Sequence, residues 1–118
     1  MTTTKDDVSA GLAANEVRLV GRVSGRPEER VLPSGDLLVT FRVVVARDHP
    51  RGRQTVDALE CVAWTARSRR SVSRWDDGDV VELSGSLRRR FYRAGATTVS
   101  RVEVETIRGR IIRRAATA

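Results

Sequence analysis

The segment from Leu37 to Ala46 places an apolar side chain at every second position, including Leu37, Phe41 and Val45. Successive side chains of a β-strand point to opposite faces, so this spacing predicts a strand with one continuous apolar face. A strand of this kind must bury that face against other elements of the fold. Phe41 is therefore predicted to lie in the core, and the chain to be built around a β-sheet.

Four further segments have the composition of strands, and turn-forming residues separate them. They are residues 17–23, 55–64, 80–87 and 97–107. In the first of these, apolar residues alternate with polar ones, and Gly21 marks a position where a strand can bend sharply because it has no side chain. The next predicted strand, from Leu37, follows a turn that contains Pro33 and Gly35, and a hairpin is expected there.

A short helix is predicted between the third and the fourth of the five strands. Thr65 can cap its N-terminus, and Ser68, Val72 and Trp75 follow at helical spacing. Trp75 is predicted to pack in the core. Five strands with one helix in this place is the order expected of the OB-fold, a five-stranded Greek-key barrel, so we predict an all-β fold of this class. The pattern alone also fits another small β-barrel.

The length of 118 residues predicts one domain. We expect residues 1–14 to be a disordered leader, residues 15–112 the folded domain and residues 113–118 a short C-terminal tail. No apolar run approaches the ~20 residues that span a bilayer, and the N-terminus lacks a secretory pattern. We therefore expect a cytoplasmic protein with no membrane partner. Cys61, the only cysteine, has apolar neighbours and is predicted to be a small buried side chain.

The net charge of +7 is concentrated in one part of the chain. Residues 86–114 hold nine arginines against Glu103 and Glu105, which accounts for the whole net charge. Such asymmetry indicates a polyanionic partner, and nucleic acid is favoured over an anionic membrane because no amphipathic helix accompanies the charge. The alternative is that 21 arginines and one lysine reflect codon bias and an ordinary solvated face.

Two adjacent aromatic residues, Phe91 and Tyr92, lie inside a run of four arginines at positions 88, 89, 90 and 93. Guanidinium groups neutralise phosphates, and exposed rings offer a surface on which bases stack, so the run favours binding of unpaired nucleic acid. Neighbouring residues of an extended segment face opposite ways. One ring is thus predicted to be packed, and Tyr92 is predicted to be the exposed one.

No group of residues has the composition of a catalytic or metal site. Asp76, Asp77 and Asp79 surround Gly78, which indicates turn chemistry, because hard cations need more converging ligands than one tight turn supplies. His49 is the only histidine and has no cysteine near it. We predict neither an enzyme nor a cofactor.

Several blocks of the chain occur in an order seen in a known family. Residues 15–23 look like an opening strand, residues 27–30 and 33–35 like the following turn and hairpin, Phe41-Arg42 continues the likeness, and residues 75–88 look like a helix end, turn and fourth strand. Together they resemble the bacterial single-stranded DNA-binding protein family over roughly residues 15–107. The resemblance implies an OB-fold that covers single-stranded DNA without sequence preference in replication, repair or recombination, at the nucleoid.

The resemblance also implies roles for individual residues. Trp64 and Tyr92 match positions at which the family has base-stacking aromatics, whereas His49 and Ala58 stand where the family usually has two more. Arg88 and Arg90 match basic positions that lead into the last hairpin. The remaining candidates for DNA binding are Phe91, on its place in the basic run, and the phosphate-neutralising arginines at other positions, namely Arg18, Arg22, Arg42, Arg47, Arg51, Arg53 and Arg93.

The family usually assembles as a homotetramer or, with linked domains, a dimer, so we expect a homo-oligomer. The chain ends in residues 111–118 without the flexible linker and acidic tip by which the family recruits other proteins, and we expect a binding module without that recruiting device. Two alternatives remain open. One is an RNA-binding OB module, and the other is an adaptor or structural paralogue that pairs with another replication protein without binding nucleic acid.

Overall fold

The computed structural model describes residues 11–116, and within that range it contains six strands and one helix. The strands are β1 Val17–Val23, β2 Glu28–Val31, β3 Leu37–Ala46, β4 Val56–Ala63, β5 Val80–Ala94 and β6 Thr97–Arg113, and the helix, α1, is Ala66–Val72. Residues 1–10 of the predicted leader and residues 117 and 118 of the predicted tail lie outside the described range.

Five of the strands close into a barrel. In order around the barrel they are β1, β5, β6, β4 and β3, and β1 closes it by pairing with β3 through Val23 and Val43. All neighbouring pairs are antiparallel except β4 and β6, which run parallel. The predicted all-β OB-fold, with one short helix between the third and the fourth barrel strands, is confirmed.

β2 was not predicted from the sequence, because all four of its side chains are exposed and show no apolar alternation. Among the described strands it pairs only with β3, from Glu28 opposite Thr40 to Val31 opposite Leu37. With β2 counted, α1 lies between the fourth and the fifth strand of the chain.

The core fills the barrel with side chains from the predicted apolar faces. Phe41 and Trp75 meet edge to face, with ring centroids 5.5 Å apart and ring planes at 84°. Both residues are buried, as predicted, together with Val23, Val43 and other aliphatic residues. Cys61 is also buried, and burial raises the pKa of its thiol to about 12, which keeps it protonated at neutral pH.

α1 begins as the sequence predicts. The hydroxyl of Thr65 accepts a hydrogen bond from the backbone N–H of Ser68 at 3.1 Å. Ser68, Val72 and Trp75 are all buried, which confirms the predicted inward face. The helix itself ends at Val72, and the Trp75 N–H bonds to the Val72 carbonyl in a tighter final turn.

The acidic turn after α1 is held together by its own carboxylates. The buried Asp79 side chain accepts hydrogen bonds from the backbone N–H groups of Asp76 and Ala115 and from Arg114. Burial acts to raise the pKa of Asp79, but these donors and the Arg114 charge outweigh it, so the pKa lies below its ordinary value. Asp77 accepts from the backbone N–H of Gly25 at 2.7 Å. The turn interpretation thus has a specific hydrogen-bonding basis.

The last two strands are longer than predicted. β5 runs to Ala94 instead of residue 87, and β6 continues to Arg113 instead of residue 107. β5 carries an irregularity at Ser84 and Gly85, where a side chain on Gly85 would collide with the Glu105 carbonyl oxygen. Among the described strands, β1 pairs with β5 only as far as Gly85, and β4 pairs with β6 only at Val104 and Glu105. Residues 88–103 therefore form a two-stranded ribbon beyond the barrel, here called the distal hairpin.

Candidate nucleic-acid interface

A groove of about 340 Å³ lies between β2 and the distal hairpin. Its floor is the outer face of β3 and β4, where Thr40 and Glu60 lie. One wall is formed by Arg30 and Leu32, from β2 and the turn after it. The other wall belongs to the distal hairpin.

One face of the distal hairpin forms that second wall, and we call it the groove face. On β5 it carries Arg88, Arg90 and Tyr92, which alternate along the strand. On β6 the residues directly opposite are Glu103, Arg101 and Val99. The strand register thus gathers three arginines, one tyrosine and one glutamate on the groove face.

Each of the two predicted stacking rings has a guanidinium group over it. The Arg90 guanidinium carbon lies 5.2 Å from the centre of the Trp64 ring, and the Arg101 carbon lies 5.5 Å from the centre of the Tyr92 ring. Both distances are within the range of cation–π attraction. Arg90, Tyr92 and Arg101 therefore line one wall of the groove, and Trp64 lies next to that wall through its contact with Arg90.

Trp64 follows the last residue of β4, on the side of the barrel that also carries Ala58 and Glu60. Ala58 is exposed, so its small side chain leaves an uncovered patch where the family resemblance implies an aromatic ring. His49, the other such position, is exposed in the loop between β3 and β4.

Carboxylates neutralise most of the arginines predicted for this region. Arg42 binds Glu60 at 2.6 Å, Arg88 binds Glu105 at 2.6 Å, and the Arg90 Nε lies 3.5 Å from Glu103. These pairs depend on cross-strand register, which the sequence pattern alone does not give. The groove is consequently less positive than its arginine count indicates.

The β3–β4 loop holds three more of the predicted arginines. Arg47 donates two hydrogen bonds to Asp57, which lower the pKa of that carboxyl and raise the pKa of the guanidinium. Arg51 and Arg53 are exposed and form no ion pair among residues 11–116.

Arg18 lies away from the groove. It and Arg110 both bind Glu82, and their hydrogen bonds lower the pKa of that carboxyl. These three residues line a separate depression of about 520 Å³, to which Arg67 of α1 contributes. Arg22 is exposed on β1, opposite Val80 and Val44. The predicted DNA-binding arginines thus belong to more than one surface.

The expectation that one of Phe91 and Tyr92 is packed is wrong. Phe91 is 68% exposed and Tyr92 is 40% exposed, so the residue predicted to be packed is the more exposed of the two. The reason is that neither face of the distal hairpin has the barrel interior behind it. Phe91 and Arg93 lie on the face opposite Tyr92.

Sequence reasoning missed Arg101, which completes the groove face. The tight turn at residues 94–97 fixes its partner, because Ala94 opposite Thr97 sets Arg90 opposite Arg101. Pairing the two strands residue by residue across the turn at Gly95 would have identified Arg101 as the partner of Arg90.

No helix among residues 11–116 is long and apolar enough to cross a membrane.

Comparisons with known proteins agree with the fold. Two curated relatives, Single-stranded DNA-binding protein 3 of Listeria innocua serovar 6a and Single-stranded DNA-binding protein A of Bacillus subtilis, are each 31% identical to the chain over 80 residues. That stretch is 66% of this chain but 50% and 46% of those proteins, so the chain spans about half the length of the curated relatives it matches. The model of the single-strand binding protein family matches residues 14–111, and the chain belongs to that family.

Proposed function

We propose that the chain binds single-stranded DNA in the groove, without sequence preference and without a chemical step. The observation that carries the proposal is the pair of aromatic–guanidinium contacts, Trp64 with Arg90 and Tyr92 with Arg101, in which both arginines line the groove. The names of the curated relatives, which are single-stranded DNA-binding proteins, support the same function.

The two contacts combine the interactions that an unpaired strand needs. A ring or a guanidinium plane accepts any base by stacking, at about 1–3 kcal/mol per base on an aromatic residue. The same arginines bind phosphates, which occur at every nucleotide regardless of sequence. Stacking and phosphate binding on one wall therefore predict affinity without base readout.

The carboxylates in the groove limit that affinity. A phosphate that binds Arg42, Arg88 or Arg90 must compete with Glu60, Glu105 or Glu103. The missing ring at Ala58 removes one stacking surface from the floor. We expect weaker binding than the number of arginines alone would give.

The experiment is a fluorescence titration with oligo(dT) at two salt concentrations. Trp75 is buried against Phe41, so any quenching on binding reports on Trp64. We expect quenching, and affinity that falls as salt rises. An unchanged emission together with no salt-dependent binding would rule the proposal out.

Two further measurements separate the alternatives. Competition between oligo(dT) and oligo(rU) distinguishes DNA from RNA, since an RNA module gains contacts to the 2′-hydroxyl. In an adaptor that does not use the groove for nucleic acid, Trp64→Ala leaves oligo(dT) binding unchanged.

We further infer that the chain acts as a homo-oligomer, a tetramer or a dimer, which protects exposed strands at the nucleoid in replication, repair or recombination. Family membership supports this role. Mass measurement with and without a long oligo(dT) gives the assembly and its stoichiometry together.

A further inference from the structure

The distal hairpin has a second face, which we call the back face. It carries Leu87, Arg89, Phe91 and Arg93 on β5, with Val102, Ser100 and Thr98 opposite the last three of these residues on β6. Next along this face, Leu87 lies opposite Val104, which is part of the barrel core. The back face thus continues the interior surface of the barrel into solvent, and it leaves Phe91 as the most exposed aromatic ring of the described chain.

The charges of the two faces differ. On the groove face Arg88 and Arg90 are paired with glutamates. On the back face of the distal hairpin, no residue of either strand is acidic. Arg89 donates a hydrogen bond to the hydroxyl of Ser100 at 3.0 Å, and Arg93 forms no ion pair within residues 11–116. On the groove face, only Arg101 is likewise without an ion pair among the described residues, whereas both arginines of the back face lack one and lie beside Phe91.

We infer that the back face is a second subsite for the same DNA strand, in which a base stacks on Phe91 while Arg89 and Arg93 bind the flanking phosphates. The two arginines stand two positions before and two positions after the ring on one strand face, so they flank it on either side. This inference rests on the proposed function of the groove and extends its footprint.

The path between the two faces is open. Over residues 88–103 neither outer edge of the distal hairpin pairs with another described strand. A single strand can therefore pass from the groove over an edge of the ribbon, where free backbone N–H groups are available to its phosphates. Only a strand longer than the groove can occupy both faces.

A second copy of this chain would fit the back face less well. A symmetric contact would bring Arg89 and Arg93 of one protomer against the same residues of its partner, with no acidic group on either back face. The partly exposed Leu87 and Val102 would gain apolar contact, but four like charges would be confined together. A polyanion meets no such repulsion.

The test compares strand length with substitution. Affinities are measured for the wild type, Phe91→Ala and Tyr92→Ala with oligo(dT) of about 8 and about 30 nucleotides, lengths that fall within and beyond the span of a single OB domain. We expect Phe91→Ala to weaken binding of the long strand by about five-fold or more and to leave the short strand unchanged. Tyr92→Ala should weaken both.

Ile107→Ala is the matched control, because Ile107 is 59% exposed and lies on neither face of the distal hairpin. It should bind both strands like the wild type. Long-strand affinity that survives Phe91→Ala overturns the inference, and so does an equal loss for both lengths. A change of oligomeric mass in Phe91→Ala without a change in DNA affinity would assign the back face to protein contact instead. If the proposed function of the groove is wrong, the result is different: the wild type does not bind oligo(dT), or Tyr92→Ala does not change the affinity.

Discussion

The guanidinium carbon of Arg90 lies 5.2 Å from the centre of the Trp64 ring. Arg90 belongs to β5 and Trp64 directly follows β4, and the two residues are 26 positions apart in the sequence. The contact forms because Trp64 directly follows β4 and lies on the side of the barrel next to the groove face of the distal hairpin. It links the ring that we propose to stack on bases to a guanidinium that we propose to bind phosphate, so substitution of either residue should affect both interactions.

Replacing Arg90 should therefore weaken oligo(dT) binding and alter the emission of Trp64. Arg90→Ala removes one phosphate contact and a cation–π contact of about 0.5–1 kcal/mol, and we expect the Kd to rise by about three- to ten-fold. Arg90→Lys keeps the charge but loses the planar guanidinium group. Its Kd should therefore lie between those of the wild type and Arg90→Ala. Arg70→Ala, which removes an exposed arginine from α1, is the control and should change the Kd little. Equal effects at both positions would point to net charge alone.

Removing a competing carboxylate should have the opposite effect. Glu103→Gln frees Arg90 on the groove face, so oligo(dT) should bind more tightly at low salt, by about three-fold or more, with a steeper dependence on salt. The measurement is a titration at two salt concentrations.

Glu82→Gln makes the same change of charge on the other side of the barrel, where Glu82 binds Arg18 and Arg110. We expect a smaller gain in oligo(dT) affinity from Glu82→Gln than from Glu103→Gln. If both variants gain equally, the position of the carboxylate in the groove is unimportant and the explanation fails.

The buried carboxylate of Asp79 should make stability depend on pH. Its pKa in the folded protein lies below the ordinary value of 3.8, so it contributes stability above about pH 4 and loses that contribution as the pH falls through the lowered pKa. Asp79→Asn should cost about 1–3 kcal/mol of unfolding free energy at pH 7, and the difference from the wild type should shrink at pH 3. Urea unfolding at both pH values measures this.

Asp77→Asn is the comparison for Asp79→Asn. Asp77 is exposed, and among the described residues its side chain accepts only the Gly25 N–H. We expect Asp77→Asn to lose clearly less unfolding free energy than Asp79→Asn. A penalty for Asp79→Asn that is the same at pH 3 and pH 7 would show that the carboxylate charge has no part in it.

The elements that the sequence predicted well are those with one buried face. β1 and β3 were found at their observed bounds because their inward residues, such as Val23 and Phe41, must alternate to fill the barrel. Thr65 marked the start of α1 because a helix needs a side-chain acceptor at that point. β2 lacked such a signal, since backbone pairing with β3 and not side-chain burial holds it in place.

The site was predictable only in part, for a related reason. Trp64 and Tyr92 were recognisable by residue type; Tyr92 lines the groove, and Trp64 contacts Arg90, which also lines it. The extension of β5 over residues 88–94 was not predicted, because nearly all of its side chains are exposed and burial therefore imposes no apolar alternation there. The ion pairs of Arg88 and Arg90 follow from register, which is fixed by the turn and by the irregularity at Gly85 rather than by residue type.

Gly109 should tolerate no side chain, because a Cβ there would lie 2.5 Å from the outer ring of Trp75. Its backbone does not require glycine, so the conflict is steric. Gly109→Ala is expected to cost about 1–3 kcal/mol of unfolding free energy by overpacking, measured by urea unfolding. Trp75→Phe removes the ring atoms that a Cβ would strike and leaves a cavity, so it should be destabilising alone. If the clash is the cause, the double variant should be more stable than the sum of the two single losses indicates, and simple additivity would disprove it.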